Sequence, residues 1–313
     1  MTETKKWVGI DVSGSELVVG VYPSAEISSF SNEQLGVDKL IKFVKVIAPA
    51  LIVLEATGGI ETLVATELYN AGMPVRIVNP RQVRDFAKSL GMLAKTDAID
   101  AVVIARYGEA VKPQARPMAS EEEIALKELT ARRRQLIDML VQEKNRYSRA
   151  GKNIKPEIEK HIKWLEKRLK DMDTDLSEAV KNSPRCAEKE NILRSVPGVG
   201  RVLSATLLAD MPELGSLNRR EIAALAGVAP FNRDSGMFRG HRTVWGGRGK
   251  VRRMLYMGVI SAIRSNSVIK AFYQRLIGNG KKPKVALTAC MRKLLVILNA
   301  MIKHKQVWSI SVA

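Results

Sequence analysis

The chain has 313 residues, of which 46% are hydrophobic and 27% charged, with 51 Lys and Arg against 32 Asp and Glu for a formal net charge of +19. That composition supplies enough apolar surface to exclude a disordered chain, the length exceeds what one core usually spans, and the basic excess points to a polyanionic partner. The two cysteines, Cys186 and Cys290, are far apart and lie in no Cys/His spacing, so neither a disulfide framework nor a zinc site is indicated.

The opening MTETKKWVGIDV lacks the apolar run of a signal peptide, and the most apolar late stretch, Val285 to Ile302, is interrupted by Arg292 and Lys293. The expectation is a cytoplasmic protein with no membrane partner. Residues 1–115 read as an α/β domain. Short β-type runs at Trp7 to Val12, Leu17 to Tyr22 and Glu26 to Phe30 form a meander, and helical and strand patterns then alternate. These are a helix at Leu40 to Ile47, a buried strand at Leu51 to Glu55, a helix around Glu61 to Ala71, a strand at Val75 to Val78, and helices from Arg81 and Thr96.

Two carboxylates close strands here, Asp11 in GIDVS and Glu55 in LIVLEATGG, and strand ends of an α/β sheet meet at one rim. Asp97 and Asp100 follow in KTDAID at the start of a helix, three apart and so on neighbouring positions of one face. Taken singly, each fits a turn residue or a helix-dipole partner. Gathered at one rim they repel by roughly 4 kcal/mol per pair near 4 Å, and a divalent cation removes that cost. Oxygen-only donors favour Mg²⁺, with Mn²⁺ able to substitute, commonly as two ions clamping the oxygens of phosphate chemistry. Glu61 competes with Glu55 but lies inside the following helix. The layout resembles the RNase H/RuvC-like nuclease fold, whose acidic cluster sits at these places.

Residues 116–188 read as a helical connector. Ile158, Ile162, Leu165, Leu169, Met172, Leu176 and Val180 form a 3.5-period seam, and Leu126, Leu129, Leu136 and Leu140 supply a partner stripe before the Gly151 to Pro156 break. An antiparallel helical hairpin results, and pairing within one chain and between chains both fit it.

Residues 189–313 read as mainly helical and carry almost all the net positive charge. Lys and Arg number 11 against 13 Asp and Glu in residues 1–110, 19 against 15 in 111–190, and 21 against 4 in 191–313. Polyanion binding is expected in the last segment. There SVPGVG, with Gly198 and Gly200, looks like a helix-hairpin-helix turn offering backbone N–H groups to phosphate; an unliganded helix corner fits it too. Downstream, Gly249-Lys250 fails as a P-loop because Val244 and Val251 stand where Gly and Ser or Thr are required. What remains is Ser235 before Gly236 in a loop followed by Arg239, His241, Arg242, Arg248, Lys250, Arg252 and Arg253. A serine beside glycine is commonly a turn residue. Among these cations it is also a candidate nucleophile toward a phosphodiester.

GIDVS, LEATGG, VNPRQVRDFAKSLG, KTDAIDA, SVPGVG and GVAPFNRDSG with a trailing RRMLYM resemble, in order and over essentially the whole chain, the insertion-sequence-110 family of transposases, relatives of the Piv DNA invertase. The resemblance implies a RuvC-like domain whose DEDD set is Asp11, Glu55, Asp97 and Asp100, a coiled-coil connector, and a C-terminal transposase domain with its serine at Ser235. It implies a recombinase that cuts and rejoins donor and target DNA through a phosphoserine, with Mg²⁺ at the acidic cluster and a bridge RNA as guide. It implies a homo-oligomer, dimer or tetramer, in which one subunit's acidic domain meets another's serine domain. The rival readings are a metal-dependent junction resolvase or nuclease using water as nucleophile, and a DNA-binding scaffold with structural carboxylates.

Overall fold

The computed structural model describes residues 5–92, 96–115, 120–232, 234–235, 238–240 and 242–309, and of 234, 235, 238 and 239 the backbone alone. The chain divides into two compact units, Met1–Met118 and Ala119–Ala313.

In the first unit, β1 (Trp7–Val12), β2 (Glu16–Tyr22) and β3 (Glu26–Ser31) form an antiparallel meander, followed by α1 (Gln34–Ile47), β4 (Leu51–Glu55), α2 (Thr62–Asn70), β5 (Val75–Val78), α3 (Pro80–Ser89) and α4 (Asp97–Val111). The sheet order is β3-β2-β1-β4-β5, with β1, β4 and β5 mutually parallel. Side chains of alternate residues leave a strand on opposite faces. Val8, Ile10, Leu17, Val19, Ile52 and Leu54 therefore pack with Val37, Leu40 and Val44 of α1 and Val64 and Leu68 of α2. Trp7, Leu51, Val53 and Val78 face the other way, onto Val83 and Ala87 of α3 and Val103, Ile104 and Tyr107 of α4. Ile10, Leu17, Ile52 and Leu54 are fully buried, each stabilising the fold by about 1.5–3 kcal/mol. Helices thus cover both faces and leave the strand ends as the exposed rim. The predicted strands and helices of this segment appear with small boundary shifts, α1 beginning at Gln34 rather than Leu40.

The second unit opens with α5 (Glu121–Arg149) and α6 (Lys155–Asn182). Ser120 and Glu123 form a capping box at the start of α5, and the break at 150–154 reverses the chain. The two helices run antiparallel, as the ion pairs Arg133–Asp173 at 2.6 Å and Lys144–Glu166 at 2.8 Å show. Leu136, Leu165 and Met172 are buried between them, with Leu129, Leu140 and Leu169 alongside. The 3.5-period stripe is therefore covered within the chain along this stretch. At the other end Leu126, Leu176 and Val180 enter the core of the C-terminal helices.

The remainder is α7 (Pro184–Arg194), α8 (Arg201–Asp210), α9 (Arg219–Leu225), four two-residue strands, and α10 (Gly249–Ser265), α11 (Ser267–Gly278) and α12 (Pro283–His304). The strands are β6 (Pro230–Phe231), β7 (Asp234–Ser235), β8 (Phe238–Arg239) and β9 (Thr243–Val244). By length and composition α12 could cross a membrane, but Cys290, Leu294, Leu295, Leu298 and Met301 are buried in the core of this unit. Burial of the Cys290 thiol pushes its pKa up to about 11.

Candidate active site

The register of β1 on β4 ends at Ile10 opposite Leu54, and the next residue on each strand is Asp11 and Glu55. By the alternation just described both carboxylates leave the sheet on the α4 side. Two glycines fix the path of α4 over that face. A Cβ on Gly108 would lie 2.8 Å from Val53 Cγ2 and 3.5 Å from Trp7, whereas one on Gly9 would lie 2.2 Å from the Ala101 carbonyl oxygen and 2.3 Å from the Ala105 nitrogen. The helix therefore runs antiparallel to β1 in backbone contact with it. From Gly9 to Asp11 the strand advances by about 6.6 Å, the rise of about four helical residues, which reaches the first turn of α4. That turn carries Asp97 and Asp100.

Local chemistry holds the turn in place. The Thr96 hydroxyl accepts a hydrogen bond from the Ile99 N–H at 3.3 Å, and the Thr96 carbonyl accepts one from the Asp100 N–H at 2.8 Å. Both acids sit at the positive end of the helix dipole, which favours their charge. Asp97 is exposed, whereas Asp11, Glu55 and Asp100 are half-buried and each engages a neighbouring group. Glu61 is committed elsewhere. It is buried, and its Oε2 accepts hydrogen bonds from the Thr57 N–H at 3.1 Å and the Gly59 N–H at 2.8 Å, which folds the loop after Glu55. Among the described residues no three carboxylate, His or Cys side chains stand together as a ready metal site. The side chains directed toward this rim carry oxygen donors alone, the kind a hard divalent cation prefers.

Ser235 lies on a tight hairpin in the second unit. Its backbone pairs with Phe238 across β7 and β8, and the hairpin grows from the β6–β9 ribbon, in which Pro230 pairs with Val244 and Phe231 with Thr243. Arg239 shares this hairpin, pairing with Asp234. Neither the side chains of Ser235 and Arg239 nor Gly236 and His241 fall among the described groups.

The basic residues after the hairpin divide into two sets. Arg242, Lys250 and Arg253 are exposed, Arg253 within 3.6 Å of Asp138. Arg248, expected as a phosphate contact, is engaged internally. Its guanidinium donates to both oxygens of the buried Glu213, at 2.5 and 2.8 Å, and to the Asp210 carbonyl at 2.8 Å. Arg252 likewise donates to the Gly246 carbonyl at 2.7 Å and the Gly227 carbonyl at 3.3 Å, pinning the glycine turn before α10. The SVPGVG turn joins α7 to α8. Gly198, at φ +96°, is pressed against Ala262 of α10, where a Cβ would fall 2.5 Å from the Ala262 Cα. Gly198 thus serves packing, and Gly200, exposed at the N-terminus of α8 with open space around it, is the glycine that faces solvent.

Residues 8–156 match the DEDD-type transposase family model for this insertion-sequence group, described as "Transposase", and residues 190–274 match "Transposase IS116/IS110/IS902 family". The chain belongs to the insertion-sequence-110 family of transposases. This member is 26% identical over 313 residues to the "Pilin gene-inverting protein" of Moraxella bovis, covering 97% of each chain. It is 32% identical over 158 residues to an uncharacterized 42 kDa protein of insertion element IS900 from Mycobacterium paratuberculosis, covering 48% of this chain and 38% of that one. A 148-residue stretch is 30% identical to an uncharacterized 44.8 kDa protein of insertion element IS116 from Streptomyces clavuligerus, covering 46% and 36%. The family resemblance read from the motifs holds, and with it the terms transposase, recombination and insertion sequence.

Several residues that shape the site escape inspection of the sequence. Gly9 and Gly20 admit α4 to the sheet, and a Cβ on Gly20 would stand 2.6 Å from the Val102 nitrogen. Their signal is glycine inside a strand, which marks close approach of another backbone. The Arg248–Glu213 pairing joins residues 35 apart and leaves no local pattern.

Proposed function

We propose that this transposase is a site-specific DNA recombinase that breaks and rejoins DNA through a covalent phosphoserine at Ser235, with the acidic rim of the first unit holding Mg²⁺. The observation that carries the reading is the approach of α4 to β1, which directs Asp97 and Asp100 toward the strand ends that bear Asp11 and Glu55. Asp11, Glu55, Asp97 and Asp100 would hold the cation. Mg²⁺ bound there would neutralise the phosphoryl oxygens and polarise the attacking and leaving oxygens. The sheet order, with helices on both faces, supports an RNase H/RuvC-like domain in residues 1–115, followed by the coiled-coil connector 116–188 and the serine-bearing transposase domain 189–313, whose SVPGVG turn is read as a helix-hairpin-helix.

In the strand-breaking step the Ser235 Oγ attacks phosphorus, an O–P bond forms, and the bond from phosphorus to one deoxyribose oxygen breaks. The serine proton passes to a carboxylate or water, and the leaving oxygen takes up a proton. Rejoining reverses these transfers with a deoxyribose hydroxyl of the new partner strand as nucleophile, so no external energy source is required. Arg239, Arg242, Lys250 and Arg253 hold the phosphates on either side, a role their sequence-independent charge suits. The reaction takes place in a homo-oligomer in which the acids of one subunit and Ser235 of another act together, as the family resemblance implies. A guide RNA supplies sequence selection by base pairing. The concentration of charge in residues 191–313, without a recognisable base-reading module, supports that assignment.

The test is Asp97→Asn and Asp100→Asn, each of which removes charge with little change of shape. Recombination of a donor and target pair is expected to vanish while the circular dichroism spectrum is unchanged. Near-normal recombination in either folded variant removes that residue from the catalytic set.

A further inference from the structure

The ribbon that carries the serine hairpin presents two large aromatic side chains to solvent. Phe231 is 45% exposed on β6, and Trp245, one residue past β9, is 57% exposed. Phe231 pairs with Thr243, so the two project on one face of the ribbon, and strand alternation carried one residue past β9 puts Trp245 on that face, diagonal to Phe231. Diagonal neighbours across an antiparallel pair lie about 7–8 Å apart, within reach of aromatic rings. Exposed Arg242, Lys250 and Arg253 stand nearby in sequence or on the adjoining α10, whereas only four acidic residues occur in residues 191–313. Apolar rings beside exposed cations suit a ligand with flat apolar faces and a polyanionic backbone, which a nucleic acid strand with unstacked bases supplies.

We propose that Phe231 and Trp245 form a stacking platform for an unpaired base of the DNA strand being cut, and so act as positioning residues for the phosphodiester that meets Ser235. The placement rests on the reading of Ser235 given above. Phe231 is four residues from Ser235, at most about 14 Å along the chain, so a base held on the ribbon sets which backbone linkage lies over the hairpin. A stacked base is recognised by its π-face whatever its identity, so the platform fixes position along the strand and leaves sequence choice to pairing. It also favours a strand already unpaired over an intact duplex.

The experiment compares full-length parent protein, Trp245→Ala, Trp245→Leu, Trp245→Phe and Phe231→Ala. Each is titrated with a thymidine oligodeoxynucleotide, a uridine oligoribonucleotide and a DNA duplex of equal length. The single-stranded DNA affinity of Trp245→Ala is expected to fall about tenfold, the equivalent of about 1.4 kcal/mol of lost stacking. Trp245→Leu keeps apolar bulk and is expected to fall equally, Trp245→Phe to retain most of the affinity, and Phe231→Ala to show a smaller loss. Duplex affinity is expected to be unchanged throughout. Unchanged single-strand binding in folded Trp245→Leu overturns the platform, as does an equal loss on duplex. A loss on the oligoribonucleotide alone overturns it as a DNA-strand platform by placing RNA on this face. None of these readouts requires catalysis, so failure of the platform is separable from failure of Ser235 as nucleophile.

Discussion

Replacement of Gly9 by Ala tests the way α4 reaches the acidic rim. The added Cβ would stand 2.2 Å from the Ala101 carbonyl oxygen and 2.3 Å from the Ala105 nitrogen, whereas ordinary contact begins at 3.4 Å. Both neighbours are helix backbone, which no rotamer change can move aside, so α4 must lift by about 1 Å. Overpacking of this kind costs about 1–3 kcal/mol, and the rigidity of the obstacle places Gly9→Ala at about 3 kcal/mol. In a unit of this size that lowers the melting temperature by about 10 °C or more. Lifting α4 also carries Asp97 and Asp100 away from Asp11 and Glu55, and a misplacement of about 1 Å at a reacting centre can cost about 100-fold in rate. The assay is thermal unfolding of the full chain by circular dichroism, hydrogen exchange of the α4 amides, and recombination well below the melting temperature. Gly14→Ala is the control, because a Cβ there meets nothing within 4 Å. A Gly9→Ala protein with parental melting temperature and parental recombination would refute the proposed path of α4.

Arg248→Met takes both guanidinium bonds from the buried Glu213 carboxylate and is expected to cost about 3 kcal/mol in denaturant unfolding, with much of that loss recovered when Glu213→Leu is added. The Cys290 thiol, raised by burial from 9.0 to about 11, keeps its proton in the folded chain after the unfolded chain has lost it. Its contribution to stability is therefore fully present below pH about 9 and lost as pH rises toward 11, a decline that Cys290→Ala should remove from unfolding curves measured across that window. Duplex affinity should fall linearly with salt on logarithmic axes at about −0.9 per phosphate contact, and Ala at Arg242, Lys250 or Arg253 should each reduce the slope by about one. An unchanged slope in all three would move the phosphate contacts elsewhere.

The first unit was legible because most of its strands are dense in Val, Ile and Leu and two of its helices open on clear caps, at Asn79 and Thr96. Asp11 and Glu55 could be placed at a common rim because strand ends converge by topology. The contact that brings α4 to them could not be placed, since it depends on the absence of side chains at Gly9 and Gly20. In the last segment the helices followed from apolar periodicity, but two-residue strands such as Asp234–Ser235 are too short to leave any. Charge alone made Arg248 look like a phosphate ligand. Its partner, Glu213, lies in a different loop, and only tertiary structure distinguishes a committed arginine from exposed ones such as Arg242.

The most direct measurement of the central claim is the capture of the covalent intermediate. Parent protein, incubated with Mg²⁺ and a labelled DNA substrate drawn from its own element, is denatured, digested with protease and analysed by mass spectrometry for a nucleotide-bearing peptide. One modified peptide is expected, with the nucleotide on Ser235, absent from Ser235→Ala and retained when Ser261, Ser265 or Ser267 is replaced by Ala. An adduct that persists in Ser235→Ala, or cleavage by the parent with no adduct at all, would contradict the claim, the second result assigning the chemistry to water.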